Sequence, residues 1–310
     1  MKREYVMLAK VWEGRDPTGM LCSVKMDGQR AFWDGGVSRG MPKVNIPWAN
    51  MDKDRRAHTC TGLWSRHGNV IYAPDWWLDK LPRGMWLDGE LWMGRGTFQE
   101  LRSTVGSYTP GSGWSSVRFH LIDVITPRVF FTQGRVGNGD SSRWISEDVC
   151  TEWYQRHAQD TPLFRYVPTF SDVVAGWNTL ANDIVVPTPQ VKVRGVSHVE
   201  EMLSVETSLG GEGLILRDPG SVWVPHRVGA VLKVKPYLEG EGVVIGVTLG
   251  EGRLAGMVGS LTVKWGDVVF SLSGLTDDER RESWIGRTVS FRYREKTKDG
   301  IPKEARYQRQ

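Results

Sequence analysis

The N-terminal part of the chain alternates between short apolar runs and polar turns, a pattern that predicts strands more often than helices. Residues 24–33 predict two short strands joined by a turn at Asp27-Gly28, because Asp-Gly between apolar stretches favours a hairpin. A short helix is predicted at 98–104, and the polar, irregular segment 35–60 indicates a loop or insertion. Further strands are predicted at residues 62–65, at 86–93 around a second Asp-Gly, and at 117–125.

Helical patterns follow in the middle of the chain. They cover residues 144–157 and 171–181. A third helix is predicted to begin at Ser197, with Glu200 three residues later as in a capping box, and to end at Gly210-Gly211. Two more strands are predicted after it, at residues 214–217 and 231–235.

The pattern of apolar and glycine residues changes after Pro236. Short strands split by glycines, one helix-like segment and a last strand fill the C-terminal stretch. Several short strands with one helix over about 70 residues suit a small five-stranded barrel of the OB type. We therefore expect an α+β protein with two domains, residues 1–236 and residues 237–310.

Composition and charge narrow the class of protein. The chain has 310 residues, 15 tryptophans and a formal net charge of +4. Because tryptophan carries a large apolar surface, most of these side chains are expected in the core or in groove walls. A mildly basic balance suits a polyanionic partner but does not establish one.

The cysteines and the N-terminus indicate an intracellular protein. Cys22, Cys60 and Cys150 are widely spaced and form no CxxC pair, which disfavours a zinc module or a disulfide framework. The N-terminus lacks the apolar segment of a signal peptide, and no apolar run reaches the length of a membrane helix. We expect a soluble, cytoplasmic protein.

The segment Lys25-Met-Asp27-Gly28-Gln-Arg30 contains a candidate nucleophile. A lysine amine attacks only as the free base, so its site must disfavour the charged form through burial or nearby cations. Lys25 stands at a predicted strand end beside a turn, where it can be held rigidly. Arg30 can return to the same face and bind a phosphate through two hydrogen bonds.

Four other segments add carboxylates and cations to this candidate site. Arg66 stands at a strand end, Glu90 comes just after a tight turn predicted at Asp88-Gly89, and Glu212 lies between two glycines that allow close approach. Lys233 and Lys235 alternate on one face of a strand. Two carboxylates suit a hard divalent cation and several cations suit a triphosphate. Each feature alone could be a turn or a surface charge, but all of them in this order would be hard to obtain by chance.

These motifs resemble those of the covalent nucleotidyltransferases, and most closely the minimal ATP-dependent DNA ligases of bacteria and their viruses. The resemblance covers nearly the whole chain. It is carried by the following stretches: MLAKVW, KMDGQRAFWDG, WSRHGNVIYAPDWW, LPRGMWLDGELWMGRGTFQELRSTV, GGEGLILRDP, VLKVKPY and TKDGIPKEARYQR. It implies an ATP-grasp-like nucleotidyltransferase domain of antiparallel sheets with flanking helices, followed by the OB-fold barrel.

The resemblance also implies a reaction in three steps. Lys25 would take AMP from ATP, the AMP would move to the 5′-phosphate of a nick in double-stranded DNA, and the 3′-hydroxyl would displace it. The roles carried over by motif are phosphate binding by Arg30 and Arg66, ribose and metal binding by Glu90, metal binding by Glu212, neutralisation of the α-phosphate by Lys233 and Lys235, and orientation in later steps by Asp27. The implied metal is Mg²⁺ or Mn²⁺, and the protein would act as a monomer.

Two departures from the family pattern concern the base and one arginine. Ile122 stands where the family commonly has a phenylalanine that stacks on adenine, so either Ile122 or Phe119 would cover the base. The segment 35–60 is longer than expected between the first two motifs. Arg39, within Ser-Arg-Gly, is therefore a rival to Arg66, which is preferred because the sequence after it continues the family pattern.

Contacts to DNA are expected from the basic end of the barrel and from the insertion. The candidates in the barrel are Arg292, Arg294, Lys296 and Lys298, and those in the insertion are Lys43, Lys53, Arg55 and Arg56. For the barrel the alternative is an ordinary solvated surface of mixed charge, and for the insertion it is a disordered, solvated loop. The alternatives are an RNA ligase, a GTP-dependent capping-type enzyme, or a nucleic-acid-binding protein with a dead site. An NAD-dependent ligase is disfavoured, since its cysteine-rich zinc module is absent from this sequence.

Overall fold

The computed structural model describes residues 4–51, 59–132, 156, 167–297 and 299–309. The chain divides into two compact units, Met1–Val234 and Lys235–Gln310. The strands of the first unit are β1 (Leu8–Val11), β2 (Leu21–Val24), β3 (Gln29–Asp34), β4 (Leu63–Ser65), β5 (Trp86–Trp92), β6 (Arg118–Ile125), β7 (Val185–Pro187), β8 (Val191–Lys192), β9 (Leu214–Arg217) and β10 (Arg227–Val234). Its helices are α1 (Asp75–Leu78), α2 (Phe98–Val105), α3 (Pro127–Thr132), α4 (Phe170–Gly176) and α5 (Val196–Ser208).

Two five-stranded sheets form the framework of the first unit. One has the order β1-β10-β9-β2-β8 and the other the order β4-β3-β5-β6-β7. Most neighbours are antiparallel, but β1 pairs with β10 and β6 pairs with β7 in parallel. The predicted α+β class is confirmed.

Tryptophan fills the interior of the first unit, as its composition predicted. The indoles with at most 1% exposure are those of Trp33, Trp48, Trp64, Trp77, Trp86 and Trp114. Trp77 and Trp114 meet edge to face with centroids 5.0 Å apart, an arrangement that aromatic rings prefer. These six side chains divide between the two large hydrophobic clusters of this unit, so aromatic rings make up much of its core.

Helix starts differ from the sequence prediction. The helix expected at 171–181 begins at Phe170, because Thr169 and Asp172 form the capping box that stabilises its first turn. The box predicted at Ser197 and Glu200 is wrong, since α5 begins at Val196 after Gly195 without a side-chain cap. The helix predicted at 144–157 lies outside the described residues, apart from 156. In the described part of the chain, no helix is both long and apolar enough to cross a membrane.

The strands of the second unit are β11 (Leu238–Leu249), β12 (Val258–Trp265), β13 (Val268–Leu272), β14 (Thr288–Tyr293), β15 (Glu295–Lys296), β16 (Pro302–Lys303) and β17 (Arg306–Tyr307). Five of them form an antiparallel sheet in the order β13-β12-β11-β14-β17, and β15 and β16 form a separate ribbon. A bridge between Ser273 and Arg306 brings the two edges of the sheet together, in agreement with the predicted OB-type barrel. Its helix-like segment is a single 3-10 turn, Glu279–Arg281.

Candidate active site

A cavity of about 630 Å³ opens in the first unit and receives side chains from both sheets. Its walls include Ser23 and Ile215 from one sheet, and Glu90 and Ile122 from the other. The residues that lead from β2 to β3 line it throughout, from Lys25 to Arg30. The structure thus brings most of the predicted site residues of this unit into one cavity.

The segment from Lys25 to Gly28 connects a strand of one sheet to a strand of the other, so the predicted hairpin is wrong. β2 pairs with β8 and β9, whereas β3 pairs with β4 and β5. A Cβ at Gly28 would collide with the carbonyl of Leu91, so glycine is needed here for close approach.

The amine of Lys25 forms an ion pair with Glu212. The lysine backbone N–H also donates to the carbonyl of Gly213 at 2.8 Å, which fixes the end of β2 against the glycine-rich segment before β9. Both side chains keep partial access to the cavity, with exposures of 22% for Lys25 and 28% for Glu212. The candidate nucleophile and one candidate metal ligand are therefore in direct contact.

Arg30 is held by a carboxylate that the sequence analysis missed. Its Nε and one terminal nitrogen donate to the two oxygens of Asp88 at 2.6 and 2.9 Å. Asp88 is fully buried and also accepts from Nε1 of Trp223 at 2.8 Å. This fork holds the guanidinium in one plane at the cavity wall.

The second Asp-Gly lies inside a strand, so the turn predicted before Glu90 is wrong. β5 runs without interruption, with a register irregularity between Asp88 and Gly89. A Cβ at Gly89 would collide with the ring of Phe119, and this packing explains the glycine.

Glu90 lies in an unusual electrostatic environment. Burial raises the pKa of its carboxyl to about 7, an effect that Arg30 and Lys25 oppose and that Asp88 and Glu212 reinforce. Glu90 and Glu212 both line the cavity, and the negative charge of Glu212 disfavours ionisation of Glu90. A divalent cation bound by both carboxylates would relieve that effect.

The structure distinguishes between Ile122 and Phe119, the two candidates for contact with adenine. Ile122 lines the cavity, whereas Phe119 is fully buried in the core on the opposite face of β6. Two aromatic residues not considered in the sequence analysis, Phe98 and Phe170, also line the cavity. Each is the first residue of a helix, and nothing in the local sequence pattern distinguishes it from a core aromatic residue.

The buried charges behind Ile122 form a chain of contacts. Asp123 is ion-paired with Arg217, and both side chains are at most 4% exposed. The guanidinium of Arg217 lies 3.9 Å from the centroid of Phe170, which is cation–π geometry. Burial raises the pKa of the Asp123 carboxyl, and the adjacent Arg217 opposes that shift.

Arg66 and Arg39 occupy different places. Arg66 is exposed at the cavity wall, where its Nε donates to Nε2 of His67 at 3.0 Å. Arg39 is ion-paired with Asp75 and Asp79 at 2.6 and 2.7 Å, away from this cavity. The geometry favours Arg66 as the arginine of this site.

The two lysines of the last motif lie on either side of the boundary between the units. Lys233 shares a face of β10 with Val231, a cavity residue, and pairs across the strands with Ile215. Lys235 begins the second unit. Asp27 is exposed and lines the cavity.

Cations in the second unit lie over aromatic rings. Arg292 and Arg294 lie 4.4 and 3.6 Å from the centroid of Tyr237, and Lys296 lies 4.2 Å from that of Trp265. Lys298 lies outside the described residues.

The insertion is described only in part. Residues 52–58, which include Lys53, Arg55 and Arg56, are not among the described residues. Lys43 is only 5% exposed, so its prediction as a surface contact to DNA is wrong. A side chain buried to that extent has no free face for a phosphate.

Comparisons with known proteins find similarity to DNA ligases. Residues 249–310 match the family described as DNA ligase OB-like domain. A DNA ligase of Haemophilus influenzae is 23% identical over 308 residues, which cover 98% of this chain and 91% of that protein. A DNA ligase of Methanothrix thermoacetophila is 36% identical over 99 residues, or 29% of this chain and 18% of that one.

Similarity extends to a solved structure. A Lig E DNA ligase, described as binding DNA with a minimal scaffold, is 26% identical, with a TM-score of 0.55 and 98% of both chains covered. The resemblance to minimal DNA ligases that the motifs predicted is thereby confirmed.

Proposed function

We propose that this chain, which is similar over nearly its whole length to minimal DNA ligases, is an ATP-dependent DNA ligase that seals nicks in duplex DNA. The observation that carries the proposal is the contact between Lys25 and Glu212 in a cavity that Arg30, Arg66 and Glu90 also line. We propose that it acts as a monomer, as the resemblance to minimal ligases implies.

In the first step, Nζ of Lys25 attacks the α-phosphate of ATP. A nitrogen–phosphorus bond forms, the bond to the bridging oxygen breaks, and pyrophosphate leaves. The amine must first lose its proton, and the Glu212 carboxylate that touches it is the nearest group to accept one. The phosphates are assigned to Arg30 and Lys233, which stabilise negative charge there. The guanidinium of Arg30 is held in one plane by Asp88.

The base and sugar of ATP have candidate partners on the sheet walls. Ile122 is assigned to the adenine by apolar contact, and Glu90 to the ribose hydroxyls. Neither contact requires the aromatic ring that the family commonly has at Ile122.

A divalent cation fits the carboxylates of this cavity. Glu90 and Glu212 both line the cavity, and Mg²⁺ is typically held by one or two carboxylates together with substrate phosphates. When bound, the cation would neutralise charge on the phosphates. Glu90 and Glu212 would hold it.

In the second step AMP moves from Lys25 to the 5′-phosphate of a nick, and in the third the 3′-hydroxyl displaces AMP. Arg66, at the exposed cavity wall, is assigned to the nick phosphate, Asp27 to orientation, and Lys235 to charge neutralisation. Arg292, Arg294 and Lys296 are assigned to the DNA backbone, because cations backed by aromatic rings suit that contact.

A denaturing gel with a singly nicked, 5′-labelled duplex, ATP and Mg²⁺ tests the proposal. We expect a longer, sealed strand from the wild type and none from Lys25→Ala. Lys80→Ala, which removes an exposed ion pair with Asp183 in the same unit, is the control and should seal normally. Sealing that needs GTP, sealing of RNA alone, or no adduct on Lys25 would contradict the proposal.

A further inference from the structure

An ion pair outside the cavity joins two segments that both lead to it. Arg95 follows β5, and its Nε and one terminal nitrogen make contacts of 3.2, 2.9 and 2.8 Å with the carboxylate of Glu206. The carboxylate belongs to the last turn of α5 and is only 7% exposed. A buried carboxylate engaged through both oxygens holds its partner in one geometry.

Glu206 also supports the glycine-rich segment after α5. The N–H of Gly211 donates to the backbone carbonyl of Glu206 at 2.9 Å. The side-chain carboxylate lies so close to Gly211 that a Cβ there would collide with it. Backbone and side chain of one residue therefore both hold Gly211 in place.

The ion pair between Arg95 and Glu206 connects the two segments that carry Glu90 and Glu212. Glu90 lies on β5, five positions before Arg95 in the chain. Glu212 directly follows Gly211, and Gly213 accepts the backbone N–H of Lys25. A displacement of the Gly211–Gly213 segment would change the separation of Glu212 from both Glu90 and Lys25.

We infer that Arg95 and Glu206 are positioning residues, which fix Glu212 relative to Glu90 and Lys25 without touching substrate. The inference rests on the proposed function, since it gives Glu212 a role in the adenylation of Lys25. Removing Arg95 leaves a buried carboxylate without its cation, and such a group relaxes toward water. The Gly211–Gly213 segment, which packs against the Glu206 carboxylate, would then move as well.

The test compares Arg95→Ala, Glu206→Gln and the double variant with Lys80→Ala as a matched control. Lys80 also loses an ion pair of the first unit, but at a site where both partners are half exposed or more. Two quantities are measured for each full-length protein. One is hydrogen–deuterium exchange of residues 207–214 without ATP or metal, and the other is the Mg²⁺ dependence of lysyl-AMP formation. Thermal melting shows that each variant is folded.

We expect faster exchange of residues 207–214 in all three pair variants and an Mg²⁺ requirement raised about tenfold. Saturating Mg²⁺ should restore most of the rate, and Arg95→Lys should restore part of it. The double variant should resemble the single variants, because the residues act as a unit.

Wild-type exchange and wild-type Mg²⁺ dependence in Arg95→Ala and Glu206→Gln would overturn the inference while leaving the proposed function intact. A rate loss that saturating Mg²⁺ does not relieve, with unchanged exchange, would also overturn it. If the wild type forms no adduct on Lys25, the proposed function falls and the positioning role falls with it.

Discussion

Asp88 receives both hydrogen bonds of the Arg30 fork, at 2.6 and 2.9 Å, and has no exposed surface. We predict that Asp88→Asn lowers the rate of lysyl-AMP formation by about a hundredfold, because a cationic fork displaced by about 1 Å no longer meets the phosphate. Single-turnover adenylation measures this loss.

Asp75→Asn is the control for that experiment. Asp75 also pairs with an arginine, but it is 86% exposed and lies away from the cavity. It should adenylate like the wild type. Equal losses in the two variants would mean that Asp88 has no particular role at the site.

Ile122 offers a test of how the base is held. Ile122→Phe should lower the KM for ATP by about threefold to tenfold, because an aromatic ring adds stacking with adenine. Ile122→Ala should raise KM instead. Steady-state adenylation at varied ATP measures both, and a KM unchanged in the two variants would remove Ile122 from the base site.

Asp34 should make stability depend on pH. Its carboxyl is fully buried, burial raises its pKa to about 6, and it accepts hydrogen bonds from Ser38 and Trp64. Because the folded protein holds this proton more tightly, the stabilising effect is complete below the ordinary pKa of 3.8 and is lost as pH rises to about 6.

The expected loss for Asp34 over that interval is about 3 kcal/mol in the free energy of unfolding. Urea unfolding of wild type and Asp34→Asn at several pH values gives the difference between them. The variant should lack this component of the pH dependence. Parallel curves for the two proteins would show that Asp34 titrates normally.

Gly89 should tolerate no side chain. Gly89→Ala places a Cβ against the ring of Phe119 and should lower the free energy of unfolding by about 2 kcal/mol. Gly229→Ala is the matched strand control, since a Cβ there meets nothing within 4 Å. Comparable destabilisation of both variants would point to strand propensity and not to the ring contact.

The two Asp-Gly pairs explain where sequence reasoning succeeded and failed. The residues around both pairs were identified as site residues from their motifs, and they line one cavity. Their local structure was predicted wrongly, because Asp-Gly was read as a turn signal. At Gly28 and Gly89 the glycine is required by a neighbour from a distant part of the chain, Leu91 or Phe119.

The role of Asp88 also depends on a contact with a distant part of the chain. A buried carboxylate and a turn aspartate look alike in a sequence, and only the strand pairing of β3 with β5 brings Asp88 opposite the Arg30 strand. The barrel was easier to predict because its glycines and short apolar runs are local. The long-range pair of Arg95 and Glu206 leaves no local signal.

The segment that connects β2 to β3 also acts as a tether between the two sheets. Five peptide units connect Val24 to Gln29, and an extended chain of that length reaches about 17 Å. At this edge the two sheets cannot separate further without unravelling a strand. The candidate nucleophile lies on the tether itself, so its position is tied to the separation of the two sheets at this edge.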